Sequence, residues 1–80
     1  MRTLGEIQNP QCKITIFAWN QKYLVKLEHD FLEQTYKVNE FDVMGDEGIR
    51  KLIDDDFINS AMERFREMRE SLDRSMKKVR

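Results

Sequence analysis

The spacing of apolar residues changes once along this chain, after about residue 43, and the change limits the folds open to it. Before that point apolar and polar residues alternate, which is the period of a strand with one buried face. From Phe57 onward apolar residues recur every three or four positions, with no Pro or Gly before Arg80. No repeat or low-complexity linker separates the halves, so one core has to use both. We predict a single α+β domain over residues 1–80, with a strand half at about 1–39 and a helical half at about 46–79.

Short turn signals divide the strand half into an antiparallel meander. Alternating, β-branched and aromatic stretches predict strands over residues 12–19, 22–28 and 31–38. Asn20-Gln21 is the first predicted turn, because Asn tolerates the left-handed conformation that a two-residue hairpin needs. His29-Asp30 is the second, without a Gly to support it. A shorter strand over 4–8, closed by Asn9-Pro10, would be the first of four, so the sheet is predicted to have three or four strands.

Aspartates mark the starts of two predicted helices. Met44-Gly45-Asp46 predicts a break followed by an N-cap, and a short helix would then contain Ile49, Leu52 and Ile53. The aspartate triplet at 54–56 predicts the start of a long helix to about residue 78, because Asp caps helices and suits their positive end. A hard-cation site is the alternative, but the Gly and the terminal Glu of an EF-hand loop are missing. The helix cap is therefore the preferred interpretation.

One layer of apolar side chains is predicted to join the two halves. A period of two on the strands and of 3.6 on the long helix selects the inward-facing set. Its members are Ile14, Ile16, Val25, Leu27, Tyr36 and Val38 on the sheet and Ile58, Met62, Phe65 and Met68 on the helix. We therefore expect the long helix to pack on one sheet face and to leave the other face open.

The long helix is predicted to outreach the sheet. A helix over about 56–78 runs roughly 34 Å, whereas a strand of seven or eight residues spans roughly 23–27 Å. Its last turns keep an apolar stripe at Leu72, Met76 and Val79 among many basic residues. These turns either fray in solvent or pack on another chain. Because a small domain has little core to spare, we expect the second outcome, as a two-fold homodimer.

The open face of the sheet carries a mixture of basic, polar and aromatic side chains. Strand alternation assigns to it Lys13, Thr15, Phe17, Trp19, Leu24, Lys26 and Lys37. Aromatic rings beside lysines are typical of surfaces that stack the bases of single-stranded nucleic acids. Against that function, Glu28 and Glu33 share the face, and the sequence pI is about 5.8 although nucleic-acid-binding domains are usually basic. Cross-strand Lys–Glu pairs on a solvated face explain the charges equally well.

Charge is unevenly distributed along the chain. The formal charge is about +1 over residues 1–39, −5 over 40–61 and +3 over 62–80, which gives the net charge of −1. An acidic patch and a basic tail that meet different partners would produce this pattern. A helix with acids at its start and bases at its end produces it too, because that order complements the helix dipole, and we prefer this interpretation.

The sequence contains no catalytic or metal-binding motif. Cys12 and His29 could serve as nucleophile and base, but nothing in the sequence orients them and no Gly-rich turn stands near. The single Cys excludes an internal disulfide, and no Cys or His spacing suits a structural metal site. No apolar run approaches the ~18 residues of a membrane span, and the N-terminus lacks a signal core. We predict a non-enzymatic cytoplasmic protein with no cofactor, no metal and no membrane contact.

Two resemblances accompany these patterns. Strands followed by a long C-terminal helix loosely resemble the element order of Whirly-type single-stranded-DNA-binding domains, which associate through their helices, although no motif is shared. The strings GEI (5–7), KITIF (13–17), WN (19–20), KY (22–23), KLE (26–28) and LEQTYK (32–37) resemble a family of short bacterial proteins without an assigned activity. This second resemblance covers the strand half best and implies a compact α+β domain in the bacterial cytoplasm.

Together these patterns predict a small protein-interaction or self-association module. Its partner is expected to be a second copy, bound through Leu72, Met76 and Val79 or through the open face, or another protein. The alternative is single-stranded nucleic-acid binding through the open face.

Overall fold

The sheet is an antiparallel meander in which each strand pairs with the next. A computed structural model describes residues 1–80. The elements are β1 (Arg2–Ile7), β2 (Lys13–Trp19), β3 (Lys22–His29), β4 (Leu32–Asn39), α1 (Glu40–Val43), α2 (Asp46–Leu52), α3 (Asp55–Met76) and a 3-10 turn (Lys77–Val79). This order confirms the predicted α+β fold and decides in favour of four strands. None of the helices combines the length and apolar content that crossing a membrane requires.

Both tight hairpins turn through left-handed residues that are not glycine. Asn20 and Gln21 have φ of 52° and 63° between β2 and β3, at the predicted position. The second turn lies one residue later than predicted, at Asp30 (φ 51°) and Phe31 (φ 62°), because β3 continues through His29. Two left-handed residues match the twist of the flanking strands. Phe31 is therefore a bulky residue in a conformation that usually costs about 1–2 kcal/mol.

β1 begins and ends earlier than the predicted range of 4–8, and it contains a bulge. Its register with β2 shifts between Thr3 and Gly5, which leaves Leu4 without a partner. Gly5 has a φ of 148°, which glycine adopts most easily. The Leu4 carbonyl accepts a hydrogen bond of 3.1 Å from Arg50 Nη2, so the bulge provides the acceptor that ties α2 to the edge of the sheet.

The core lies between one face of the sheet and the helices. Its buried members are Cys12, Ile14, Ile16, Tyr23, Val25, Leu27, Ile49, Ile53, Ile58, Ala61 and Phe65. The predicted residues Tyr36, Val38, Met62 and Met68 are only partly buried and pack against its margin. The prediction gave the whole helical contribution to α3, whereas Ile49 of α2 and the following Ile53 also fill the core. Two helical segments therefore share the covered face.

Asparagine and aspartate side chains cap two of the helices. Asp54 Oδ1 accepts a hydrogen bond of 2.9 Å from the Phe57 amide, so the aspartate triplet begins α3 as predicted. Asn39 Oδ1 accepts one of 2.9 Å from the Phe41 amide and begins α1. That short helix was not predicted because it buries no residue and has no apolar period to reveal it.

Two sets of contacts hold α3 along β4. Gln34 Nε2 donates to the Ala61 carbonyl at 2.8 Å, and Gln34 Oε1 accepts from Arg64 Nε at 3.1 Å. Further along, Arg69 Nη2 donates to the Asp30 carbonyl at 2.6 Å, and Arg69 Nε forms an ion pair with Asp30 Oδ2 at 3.2 Å without hydrogen-bond alignment. α3 therefore runs antiparallel to β4 and passes the β3–β4 hairpin tip at Arg69. Its last turns project beyond the sheet. The whole molecule is therefore 46 Å long, whereas a strand as long as β4 spans roughly 26 Å.

Phe65→Ala should lower the free energy of unfolding by about 3–5 kcal/mol, because deleting a buried ring leaves a cavity in the core. Urea denaturation followed by circular dichroism would measure the change. Phe41→Ala is the matched control, since the Phe41 ring is exposed and its loss should cost less than about 1 kcal/mol. A similarly small loss for Phe65→Ala would contradict the assigned core.

Gly48→Ala should destabilise the protein by about 1–3 kcal/mol or more, although Ala is the better helix former. A Cβ at this position would lie 1.4 Å from the Val43 carbonyl oxygen, so α1 and α2 would have to separate. Thermal denaturation provides the measurement, and Ser60→Ala on the exposed side of α3 provides the control. Unchanged stability of the Gly48 variant would show that the two helices do not need this close approach.

Candidate functional site

The projecting end of α3 and the neighbouring hairpin tip form an apolar surface. This helix-end surface consists of Phe31, Leu32, Met68, Leu72, Met76 and Val79. Leu72 is 41% exposed, Val79 is 86% exposed and the Phe31 ring is fully exposed. Leu32, Met68 and Leu72 line a shallow groove along the side of α3. Of the predicted contact residues, Leu72 shares this groove with Leu32 of the hairpin, whereas Met76 and Val79 lie further along the projecting end. The sequence did not indicate that the hairpin lies beside this stripe.

The helix-end surface continues the stripe that builds the core. Ala61 and Phe65 are buried against the sheet, and the same spacing of three and four residues leads on to Met68 and Leu72. Val79 lies one heptad beyond Leu72. Because the stripe does not stop where the sheet stops, α3 carries apolar side chains past its own support. A helix end adapted to water alone would carry polar residues on all sides.

Charges of opposite sign surround the helix-end surface. The hairpin tip carries Glu28, Asp30 and Glu33, and the chain ends with Arg74, Lys77, Lys78 and Arg80. Asp30 pairs with Arg69, and Glu33 pairs with Lys26 at 3.5 Å, while Glu28 belongs to no ion pair. The four basic residues at the end of the chain have no acidic partner within the protein. The projecting end therefore presents unneutralised positive charge beside an apolar stripe.

The structure brings the predicted open-face residues together on the side of the sheet away from the core. In the paired strands, Lys13, Thr15, Phe17 and Trp19 of β2 lie opposite Glu28, Lys26, Leu24 and Lys22 of β3, and Leu24 lies opposite Lys37 of β4. Trp19 is 55% exposed, whereas Phe17 and Leu24 are half-buried and Thr15 is buried. Lys22 also belongs to this face and was missed, although alternation backward from Leu24 would have found it.

The lysines of the open face differ in whether an acid neutralises them. Lys13 lies 3.9 Å from Glu6, and Lys26 lies 3.5 Å from Glu33, which is the cross-strand pairing expected for a solvated face. Lys22 and Lys37 form no ion pair. The open face is therefore divided into a neutralised half, at the start of β2, and a half with free positive charge around Trp19.

Cys12 and His29 lie on the core side of the sheet, near the same end. Lys13 pairs with Glu28, so the preceding Cys12 and the following His29 adjoin that pair. The imidazole of His29 packs against the Phe65 ring, with centroids 5.6 Å apart. Burial raises the pKa of the Cys12 thiol, which disfavours the nucleophilic thiolate. No group of three or more His, Cys, Asp or Glu side chains converges to hold a metal ion.

A tyrosine–aspartate contact connects the sheet to α2. The Tyr23 ring is buried in the core, and its hydroxyl donates a hydrogen bond to Asp46 Oδ1 at 2.5 Å. This hydrogen bond and the burial of the ring raise the pKa of Tyr23 to about 12. Asp46 was predicted to be the N-cap of α2, but Gly45 (φ 87°) holds that position and the Asp46 carboxylate serves Tyr23 instead. The contact positions α2 and lies apart from both surfaces described above.

Comparison with known proteins gives no match to a protein-family model, to a curated protein or to a solved structure.

Tyr23→Phe should cost about 1 kcal/mol near neutral pH, because it removes one hydrogen bond to a carboxylate at the rim of the core. Its effect should shrink at alkaline pH. The folded state raises the Tyr23 pKa to about 12, whereas an unfolded Tyr ionises near 10, so the contribution is present below about pH 10 and is lost as pH rises toward 12. Urea denaturation of the parent protein and of Tyr23→Phe across this pH range gives the difference in the free energy of unfolding. Asp46→Asn removes the acceptor carboxylate and should likewise reduce the alkaline loss of stability. A stability difference that stays constant with pH would contradict this role.

Proposed function

We propose that this protein is a small self-association module that forms a two-fold homodimer through the helix-end surface. The observation that carries the proposal is the apolar stripe of α3, which continues past the sheet and leaves Leu72 and Val79 exposed. A small domain buries a limited fraction of its surface, so covering these side chains would add stability that the single chain lacks. A closed two-fold dimer needs only one self-complementary patch.

An antiparallel arrangement of the two projecting helices suits this patch. Suppose that Leu72 packs on Leu72 of a second copy. A residue four positions before Leu72 in one copy then lies level with the residue four positions after Leu72 in the other copy, and the same holds for every other spacing. Met68 then meets Met76, and Phe65 lies level with Val79. The end of each helix thereby reaches the hairpin tip of the other copy, where Phe31 is exposed. One arrangement covers both parts of the surface.

Charge complementarity also favours the antiparallel arrangement. It sets Lys77 level with Glu67 of the second copy and Arg74 level with Glu70. The same register sets Lys78 level with Arg66 and Arg80 level with Arg64, but Arg66 is neutralised by Glu63 and Glu70 of its own chain. The basic end of each chain approaches the acidic hairpin tip of the other, where Glu28 has no ion-pair partner of its own. A parallel pair would instead place the two basic ends together, and like charges would oppose it. Association should therefore weaken as salt is added.

Phe31 is a further argument for contact at this surface. A two-residue hairpin of this kind favours glycine at its second position, and Phe31 occupies that position with a φ of 62° and a fully exposed ring. Neither the backbone conformation nor the exposure stabilises the single chain. Covering the ring in a dimer would offset both costs.

The proposed module is non-enzymatic and acts in the cytoplasm. The one thiol, Cys12, is buried, and this burial raises its pKa, which disfavours the nucleophilic thiolate. A single unpaired cysteine suits a reducing compartment. A different protein with an apolar stripe flanked by acids would fit the helix-end surface too, and the oligomeric state of the pure chain distinguishes that case.

Sedimentation velocity over a hundredfold range of concentration should detect a dimer of the parent protein. Leu72→Asp should convert it to a monomer, because the substitution places two carboxylates at the centre of the contact. Circular dichroism should show that the variant keeps its fold, since Leu72 lies outside the buried core. Met44→Asp is the matched control: Met44 is an exposed apolar residue directly after α1, at the end of the sheet away from the helix-end surface, and its loss should leave the dimer intact.

Phe31→Gly separates the two effects of the hairpin tip. The change relieves the left-handed strain and removes the contact, so the monomer should become no less stable while dimerisation weakens. A protein that remains monomeric at every concentration would refute the proposal, and so would a dimer that survives Leu72→Asp.

A further inference from the structure

The half of the open face around Trp19 has the chemistry of a nucleic-acid site. Two aromatic residues, Phe17 and Trp19, lie two positions apart on β2 and share one face. Lys22 and Lys37 are the basic residues of this half, and neither is neutralised by an acid. We propose that this half-face binds single-stranded nucleic acid, with bases stacked on Phe17 and Trp19 and phosphates held by Lys22 and Lys37. The site lies away from the helix-end surface and does not depend on self-association.

The spacing of the rings favours a single strand over a duplex. Residues two apart on a strand lie about 6.8 Å from each other, which is twice the rise of about 3.4 Å between stacked bases in duplex DNA. Bases can therefore stack on both rings only if they are unstacked from each other, as in an extended single strand. Trp19 offers the larger accessible ring, and the half-buried Phe17 lies opposite Leu24 on the same face.

Each ring belongs to a cross-strand row that ends in a free lysine. Trp19 lies directly opposite Lys22. Phe17 lies opposite Leu24, and Leu24 lies opposite Lys37 on the outer strand β4. A single-stranded nucleic acid that passes over both rings would thus meet one lysine ammonium group in each of these two rows. Because no acid competes for these two lysines, phosphate groups are the complementary partners that the surface lacks.

The acids that share the open face lie in the rows of Thr15 and Lys13, outside this half. Glu6 lies opposite Thr15, one row from Phe17, and is paired with Lys13 at 3.9 Å, while Glu33 is paired with Lys26. Glu28 is in the row of Lys13, about 13 Å from Phe17 along the strand, which exceeds the screening length of about 10 Å at 0.1 M salt. Glu40 and Asp46 line a groove with Tyr23, whose side chain faces the core, so they lie toward the helical side of the sheet. The net negative charge of the chain is therefore compatible with a local basic site.

Fluorescence gives a direct test because Trp19 is the only tryptophan of the chain. A ten-nucleotide oligothymidylate should quench Trp19 in a saturable manner at low salt. With two phosphate contacts, a plot of log affinity against log salt should have a slope of about −1.4, which is a loss of about sevenfold between 50 and 200 mM. A blunt duplex of the same length should bind at least tenfold more weakly.

Variants identify the groups involved, with a fluorescein-labelled oligothymidylate and anisotropy as the readout. Trp19→Ala should weaken binding at least fivefold, which corresponds to the lower limit of about 1 kcal/mol for one stacked base. The double variant K22E/K37E should weaken it at least tenfold. K13E/K26E is the matched control, since it changes the net charge by the same amount on the same face, at lysines that Glu6 and Glu33 already neutralise, and it should weaken binding far less than K22E/K37E.

Several results would overturn the proposal. Absence of quenching at 50 mM salt would do so, as would equal binding of the duplex. An equal loss for K13E/K26E and K22E/K37E would indicate attraction by overall charge rather than by this site. A Trp19 signal that depends on protein concentration alone, and disappears in Leu72→Asp, would show that a second copy covers the face instead.

Discussion

The attachment of α3 along β4 determines which surfaces of this protein remain uncovered. Gln34 binds the helix at Ala61 and Arg64, and Arg69 binds the hairpin tip at Asp30. With these contacts made, Phe65 lies in the core and everything after Arg69 lies beyond the sheet. The helix cannot slide back to shelter its own end without breaking the contacts that Gln34 makes. The exposed stripe therefore follows from how the helix is anchored, and a frayed or mobile end is not needed to explain it.

The small core explains why surface residues matter so much in this chain. Only 12 of the 80 residues are buried, so the covered face holds little apolar surface in reserve. Large apolar side chains are nevertheless exposed at both ends of the molecule, including Trp19 at one and Leu72 at the other. Exposed apolar patches of this kind usually mark contacts with other molecules. The two proposed surfaces use these two ends, and each can be tested while the other is intact.

The two surfaces would reinforce each other if both are used. An antiparallel dimer held at the projecting helix ends would carry one open face on each copy, with the Trp19 ends directed away from the two-fold axis. A single-stranded nucleic acid long enough to reach both faces would then bind with a raised effective concentration. The two proposals, self-association and nucleic-acid binding, are thus compatible with each other.

The sequence alone determined the elements other than α1, their order and the faces of the strands, because these follow from local spacing. The short α1 has no apolar period and was not found. Alternation placed Phe17 and Trp19 on the sheet face away from Ile14 and Ile16, and the aspartate triplet marked the start of α3. Helical spacing found Ile58 and Phe65, but only the tertiary structure decided that Ile49 and Ala61 join them in the core, since this depends on where distant segments meet the sheet. It also decided which lysines keep a free charge, because ion pairs such as Lys26–Glu33 depend on which cross-strand neighbours are close enough. The left-handed Phe31 shows the same limit, because the turn position was set by the pairing of β3 with β4 and not by the residues of the turn.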